Sequence, residues 1–322
     1  MVICSLRGIM SNVGELSDTN MATPFAVSIV TASCQRPLNL VRIVDLRHRS
    51  IAHHRDIGHT VNFSVCVPPI ISIFDEVSDV VEFIEVNRMF GAEKFQFYVD
   101  SVSPRVASCL LEYARRSVVE VQPWTVPMKI APFIYQHGQI LAINECLYRL
   151  MYRTKYVVVQ YVDQFTVPMR SDSWLSMLDN VNKDTGRESN RIASYNFRNR
   201  FFPAKIPKLF DFTWQNEVQR RFKTLTAVQA EEESLSFIDR SRVMARPERV
   251  IMWHGNNNNL VHSEDVNARV NVVHGQLFQY TSGTTVANTT ILSRMLEFEQ
   301  LLLRRLYVAT AAICLTGDYQ FS

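Results

Sequence analysis

Glycine is scarce in this chain, 10 of 322 residues, and none falls into the G-x-G-x-x-G or G-x-x-x-x-G-K-[ST] patterns that cradle phosphates. Dinucleotide binding of the Rossmann type and P-loop chemistry are therefore disfavoured. The G-x-S-x-G elbow of the α/β-hydrolases is missing as well. Six cysteines (Cys4, Cys34, Cys66, Cys109, Cys146, Cys314) lack the C-x-x-C spacing of zinc or thioredoxin sites, so isolated buried thiols are the plain expectation. An excess of one charge is lacking too: 34 basic against 31 acidic residues leave +3, which implies no nucleic-acid stripe. The first twenty residues lack a basic region followed by an apolar core, so they do not read as a signal peptide. The apolar runs from Phe25 to Ala32 and from Leu306 to Thr316 are too short to span a bilayer. No internal repeat or flexible linker divides the chain.

What is present is an ordinary globular composition, 47% hydrophobic and 20% charged, long enough to bury a sizeable core. The basic cluster from Arg198 to Lys223 is soon followed by Glu231, Glu232 and Glu233 and reads as a solvated face. The sequons at Asn62 and Asn288 are consistent with a secretory setting, which would allow one or two disulfides. Residues 1–60 hold His48, His53, His54 and His59 without ligand spacing. They read as a lead-in with strands in Phe25 to Ala32 and Leu40 to Leu46.

From Phe63 the pattern alternates. FSVCVPP is a short apolar strand stopped by Pro68 and Pro69, and DEVSDVVEFIEVNRMF places Val77, Val80, Val81 and Ile84 on one helical face closed by Gly91. On that helix Glu82 and Glu85 read as structural, with Glu85 three residues from Arg88. EKFQFYVD is a second strand, Ser103-Pro104 caps a second helix, VVEVQPW is a third strand, HGQILAINECLYRLMYR a third helix and KYVVVQYVD a fourth strand. This order implies an α/β fold with a mostly parallel, right-handed sheet and helices on both faces. Ligands of such sheets bind at the carboxyl ends of the strands, where Pro68, Asp100, Trp124 and Asp163 stand. Tyr98 and Trp124 could stack on a base or a sugar, although packing is the usual role of such rings. Pro168 is expected to stop further pairing. Beyond it, DSWLSMLDNV is a helix and RIASYNFRNRFF a strand. RVIMWHG and ARVNVVHG are strands ending in His254 and His274, and a last helix runs from about Ile291 to Ala309.

The segments FSVCVPP, VEFIEVNRMFGAEKFQFYVDSVSP, VVEVQPWTVP, GQILAINECLYRLMYRTKYVVVQYVDQFTVP, YNFRNRFF and RPERV, followed by His254, resemble glycosyltransferase family 92 in content and order. The resemblance implies a GT-A type nucleotide-sugar transferase domain over 61–312, between the lead-in 1–60 and a tail 313–322. It implies inverting transfer of a hexose, galactose favoured, from a UDP-sugar to a glycan on a glycoprotein, with Mn2+ (or Mg2+) as cofactor. It also implies a Golgi membrane or lumenal setting. Pro68, Tyr98, Asp100, Gln139 and Asp163 are then expected at the nucleotide-sugar site, and Asp163 with His254, or alternatively His274, at the metal. Glu264 and Asp265 are candidates for the base that takes the acceptor proton. One departure matters. Where the family reads Asp-x-Asp-Glu, this chain reads Tyr161-Val162-Asp163-Gln164, which removes two formal negative charges and weakens the expected hold on a hard cation.

Overall fold

The computed structural model describes residues 26–27, 41–43, 59–71, 74–126, 134–186, 191–203, 224, 230–231, 242–254, 259–262, 268–281, 287–288 and 299–309. The chain divides into two compact units, Met1–His54 and Arg55–Ser322. In the first, β1 (Ala26–Val27) pairs antiparallel with β2 (Val41–Arg42), each inside a segment expected to hold a strand.

The second unit runs β3 (Val61–Ile70), α1 (Val77–Phe90), β4 (Lys94–Val99), α2 (Pro104–Arg115), β5 (Val119–Pro123), α3 (Gln139–Leu150), β6 (Thr154–Val159), β7 (Gln164–Pro168), α4 (Trp174–Thr185), β8 (Ile192–Pro203), β9 (Ala230–Glu231), β10 (Arg242–Ala245), β11 (Val250–His254), β12 (Asn259–His262), β13 (Ala268–Thr281), β14 (Ala287–Asn288) and α5 (Glu299–Ala309). Eight strands form one sheet in the order β5-β4-β3-β6-β10-β8-β13-β7, while β11 with β12 and β14 with β9 form two-stranded pairs. The half from β5 to β6 is parallel throughout, as the alternation of strands and helices predicts. Antiparallel β10 then separates β6 from β8, and β13 lies parallel to β8 and antiparallel to the edge strand β7.

Strand alternation sorts the core into two faces. Phe63, Val65 and Val67 of β3 join Tyr156 and Val158 of β6 in a cluster with α1, α2, α4 and α5. Cys66, Val157 and Val159 point the other way, into a cluster with α3, β10 and β11. Helices thus cover both faces. Local signals set their ends: the Ser103 side chain accepts from Val106 N at the start of α2, Ser173 and Ser176 form a capping box on α4, and Gly91 takes a left-handed φ of 119° to close α1. The α1 carboxylates are structural, as expected. Buried Glu85 accepts from Arg88 Nη1 (2.8 Å) and the Tyr113 hydroxyl (3.0 Å) and lies 3.6 Å from Arg305 of α5. Buried Glu82 accepts from Thr224 N at 2.6 Å and from the Thr224 hydroxyl.

Three expectations are corrected. Strand β3 does not stop at Pro68: its pairing with β4 breaks register between Val67 and Ile70 and resumes at Ile70, whose carbonyl accepts from Asp100 N at 3.0 Å. Two residues without N–H groups are accommodated by that irregularity. Pro168 does stop further pairing, as expected: it ends β7 opposite Gly275, at the sheet edge where a missing donor is tolerated. His274 does not end its strand but lies within β13, in the irregular stretch between Val272 and Leu277. Finally, Cys66 and Cys146 are not isolated thiols: they form a disulfide across 80 residues with Cα atoms 6.2 Å apart, and Cys109 is disulfide-bonded as well. The last helix is described over Glu299–Ala309; its expected beginning at Ile291 lies outside the described residues.

Candidate functional site

The parallel strands in sheet order β5-β4-β3-β6 make β3 and β6 the pair at which the chain changes direction across the sheet. The connection after β3 leads outward to β4, whereas β6 is reached on its other side. A crevice opens beyond the carboxyl ends of such a pair. The protein has a cavity of about 890 Å³ there. Its walls are Val67, Pro68, Pro69, Ile70 and Ile71 at the end of β3, Phe74 and Asp79 at the start of α1, Ile134, Gln136, His137 and Gln139 ahead of and at the start of α3, and Tyr161, Val162 and Asp163 after β6.

The turn from Gln160 to Gln164 is strapped from several sides. Gln160 N donates to Cys66 O of β3 (3.1 Å), and its buried side chain donates to Thr166 Oγ1 of β7 (2.6 Å). Gln164 N donates to Tyr161 O (3.0 Å), closing the turn, while Gln164 Oε1 accepts from Tyr161 N (3.1 Å) and from Arg242 Nε of β10 (2.9 Å). The Tyr161 hydroxyl donates to Gln139 Oε1 at 2.6 Å. The Arg242 guanidinium lies 5.2 Å from the centre of the Tyr161 ring, within range of a cation–π contact.

The opposite wall is built on unusual backbone. Gln136, His137 and Gly138 all take left-handed conformations, with φ of 45°, 51° and 75°. For the first two this costs energy and calls for a restraint. Trp124 supplies one, since its Nε1 donates to His137 O at 3.0 Å and its ring lies 3.4 Å from where a Cβ on Gly138 would sit. Helix α3 then starts at the cavity with no side chain capping it, so the positive end of its dipole stands at the wall. Farther along α3, Asn144 exchanges both amide bonds with the Trp253 backbone (3.0 and 2.8 Å), tying β11, the strand that ends at His254, to the same helix.

Pro68, Gln139 and Asp163 of the expected site residues therefore come together in one cavity. Tyr98 is buried behind it, its ring edge-on to Trp124 at 5.3 Å and its hydroxyl bonded to Glu145. Burial first, and the Glu145 carboxylate second, push that hydroxyl well above the ordinary tyrosine range. Asp100 is exposed and meets β3 through its backbone. His254 and His274 lie on described strands, but their side chains are outside the described residues, as are Glu264 and Asp265 altogether. Reasoning from sequence missed the Tyr161–Gln139 pair, Arg242 and the left-handed segment. A lone glycine ahead of a helix was the signal for the segment; nothing in the sequence marks Arg242.

The residues at the turn do not suit a divalent cation of the kind the resemblance implies. Asp163 is the one carboxylate of Tyr161-Val162-Asp163-Gln164, the phenol of Tyr161 is committed to Gln139, and the Gln164 amide oxygen is committed to Arg242 and Tyr161 N. Among the described residues no group of three or more His, Cys, Asp or Glu is placed to hold a metal ion.

Comparison with known proteins gives the following. The sequence model described as Glycosyltransferase family 92 matches residues 61–301. A Beta-1,4-galactosyltransferase, galt-1, of Caenorhabditis elegans is 29% identical over 108 residues, which are 33% of this chain and 25% of that protein. The chain thus matches about a quarter of the length of that curated relative. Glucosyl-3-phosphoglycerate synthase from Mycobacterium tuberculosis, solved in complex with phosphoglyceric acid, aligns over 84% of this chain and 89% of its own, at 13% identity and a TM-score of 0.32. TarS of S. aureus aligns over 80% and 40%, at 10% identity and a TM-score of 0.31.

Proposed function

The chain belongs to glycosyltransferase family 92, and from that premise we propose that it transfers a hexose, galactose favoured, from a UDP-sugar to a glycan on a glycoprotein with inversion. The observation that carries the reading is the cavity between the ends of β3 and β6, lined by Pro68, Gln139 and Asp163. It stands where an α/β sheet of GT-A type would receive a nucleotide. Its volume suits a nucleotide-sized ligand, since such pockets run to roughly 300–1,000 Å³. The positive end of α3 at the cavity wall favours an anionic group such as a diphosphate. In the transfer, an acceptor hydroxyl oxygen attacks the anomeric carbon as the bond from that carbon to the UDP oxygen breaks. The hydroxyl proton passes to a carboxylate base, for which Glu264 and Asp265 are the candidates.

The Cys66–Cys146 bridge supports the oxidising, secretory compartment usual for the family, because such bonds persist there and are rare in reducing cytosol. Among the described residues no helix is long and apolar enough to cross a membrane.

The test is a transfer assay with UDP-galactose, UDP-glucose and UDP-N-acetylglucosamine on released and protein-linked N-glycans, read by mass spectrometry and by NMR of the new linkage. The expected product carries one added hexose in β linkage, formed from the α-linked donor. Absence of transfer from every donor, with the protein folded, would contradict the reading. A second reading, binding of donor or glycan without turnover, is favoured by one observation, the replacement of two acidic positions by Tyr161 and Gln164. It predicts donor binding with no product.

A further inference from the structure

We infer that this cavity holds its nucleotide-sugar ligand without a divalent cation, an inference that rests on the donor reading above. In a cation-assisted site two or more carboxylates hold the ion, and the ion in turn neutralises the phosphates. Here the turn after β6 keeps a single carboxylate, Asp163, and is internally bonded. The Tyr161 hydroxyl is spent on Gln139 (2.6 Å), and Gln164 Oε1 is shared between Tyr161 N (3.1 Å) and Arg242 Nε (2.9 Å). A hard cation entering this turn would have to displace those bonds and gain a phenol and an amide as ligands, with Asp163 the one carboxylate of the turn and Asp79 of α1 the other carboxylate of the lining.

Positive charge is nevertheless built in. The Arg242 guanidinium, always protonated, is held against the Tyr161 ring at 5.2 Å and by Gln164, next to the cavity lining rather than on it. The uncapped start of α3 adds the positive end of a twelve-residue helix dipole at the opposite wall. Because the Gln139 carbonyl oxygen is taken by Tyr161, its amide N–H pair remains to donate toward an acceptor in the cavity. These groups are fixed parts of the chain, so the attraction for an anionic ligand needs no ion to be recruited.

The test is titration of UDP into the full chain, once in EDTA and once in manganese, by calorimetry, together with the electron paramagnetic resonance signal of free Mn2+ in the presence of protein and UDP. The expected result is a UDP affinity that agrees within about twofold between the two conditions, since no charge-pair energy is gained from the ion. The free Mn2+ signal should match that of Asp163→Ala. A double variant, Tyr161→Asp with Gln164→Glu, should acquire a manganese-dependent gain of tenfold or more. A wild-type affinity that rises tenfold with manganese and loses that gain in Asp163→Ala would overturn the inference and leave the donor reading standing. UDP binding in neither condition would overturn the donor reading, and the inference with it.

Discussion

Trp174→Ala is expected to destabilise the second unit by about 3–5 kcal/mol, the usual range for removing a large buried aromatic side chain. Trp174 is fully buried and packs edge-on against Phe63 of β3, with ring centres 5.4 Å apart. Its Nε1 also donates to Thr166 O of β7 at 2.8 Å. Two losses follow, the apolar contact and a partner for a buried carbonyl. The ring fastens α4 to both the central strand and the edge strand that leaves the Asp163 turn, so the damage should reach the site. For a unit of this size each kcal/mol lowers the melting temperature by roughly 2–4 °C. Urea unfolding gives the energy directly, and Trp174→Phe, which keeps most of the ring, should lose clearly less. A loss below about 1 kcal/mol for the alanine variant, well under the range for buried aromatics, would mean that α4 is not anchored as described.

The paired replacement Cys66→Ala with Cys146→Ala should cost about 2–4 kcal/mol. The bond closes a loop of 80 residues, and a long loop gives the unfolded chain much freedom to lose. Its position adds a local effect. Cys66 immediately precedes Val67 and Pro68 on one cavity wall, and Cys146 lies about two turns along α3 from Gln139 on another. Thermal melts with and without reductant separate this bond from that of Cys109: the wild type should lose more stability on reduction than the paired variant does. Equal sensitivity would show that the bridge contributes nothing to the folded unit.

Much of the fold was legible because local pattern and tertiary placement agree. Val65, Cys66 and Val67 alternate faces as strand residues must, and Ser103-Pro104 marks the start of α2 where the helix begins. The rest depended on partners distant in sequence. Nothing in Arg242-Val243-Met244-Ala245 tells that it inserts antiparallel between β6 and β8, since its pairing with Val157 and Val158 is long-range. Pro168 does end its strand, but that β7 is the edge strand of the sheet, paired with β13, is visible only in the fold. The disulfide escaped a search for short cysteine spacings because its two residues meet only when α3 packs on β3.

At the candidate site the position of Asp163 was legible and the contacts of Tyr161 were not, for the same reason. Asp163 could be placed at the end of a central strand from three valines and a proline. The role of Tyr161 depended on where its hydroxyl ended up, and Gln139 lies 22 residues earlier in the chain. Reading Tyr161 as the loss of a ligand missed that the position has acquired two contacts of its own, one with Gln139 and one with Arg242.

The claim on which the rest depends is that the crevice between β3 and β6 receives the donor. Hydrogen–deuterium exchange of the full chain with and without UDP-galactose tests it most directly. Protection is expected in peptides covering Val67 to Ile71, Gln136 to Ile140 and Tyr161 to Asp163, with the remaining peptides unchanged. Protection absent from those three segments, or concentrated elsewhere in the chain, would contradict it.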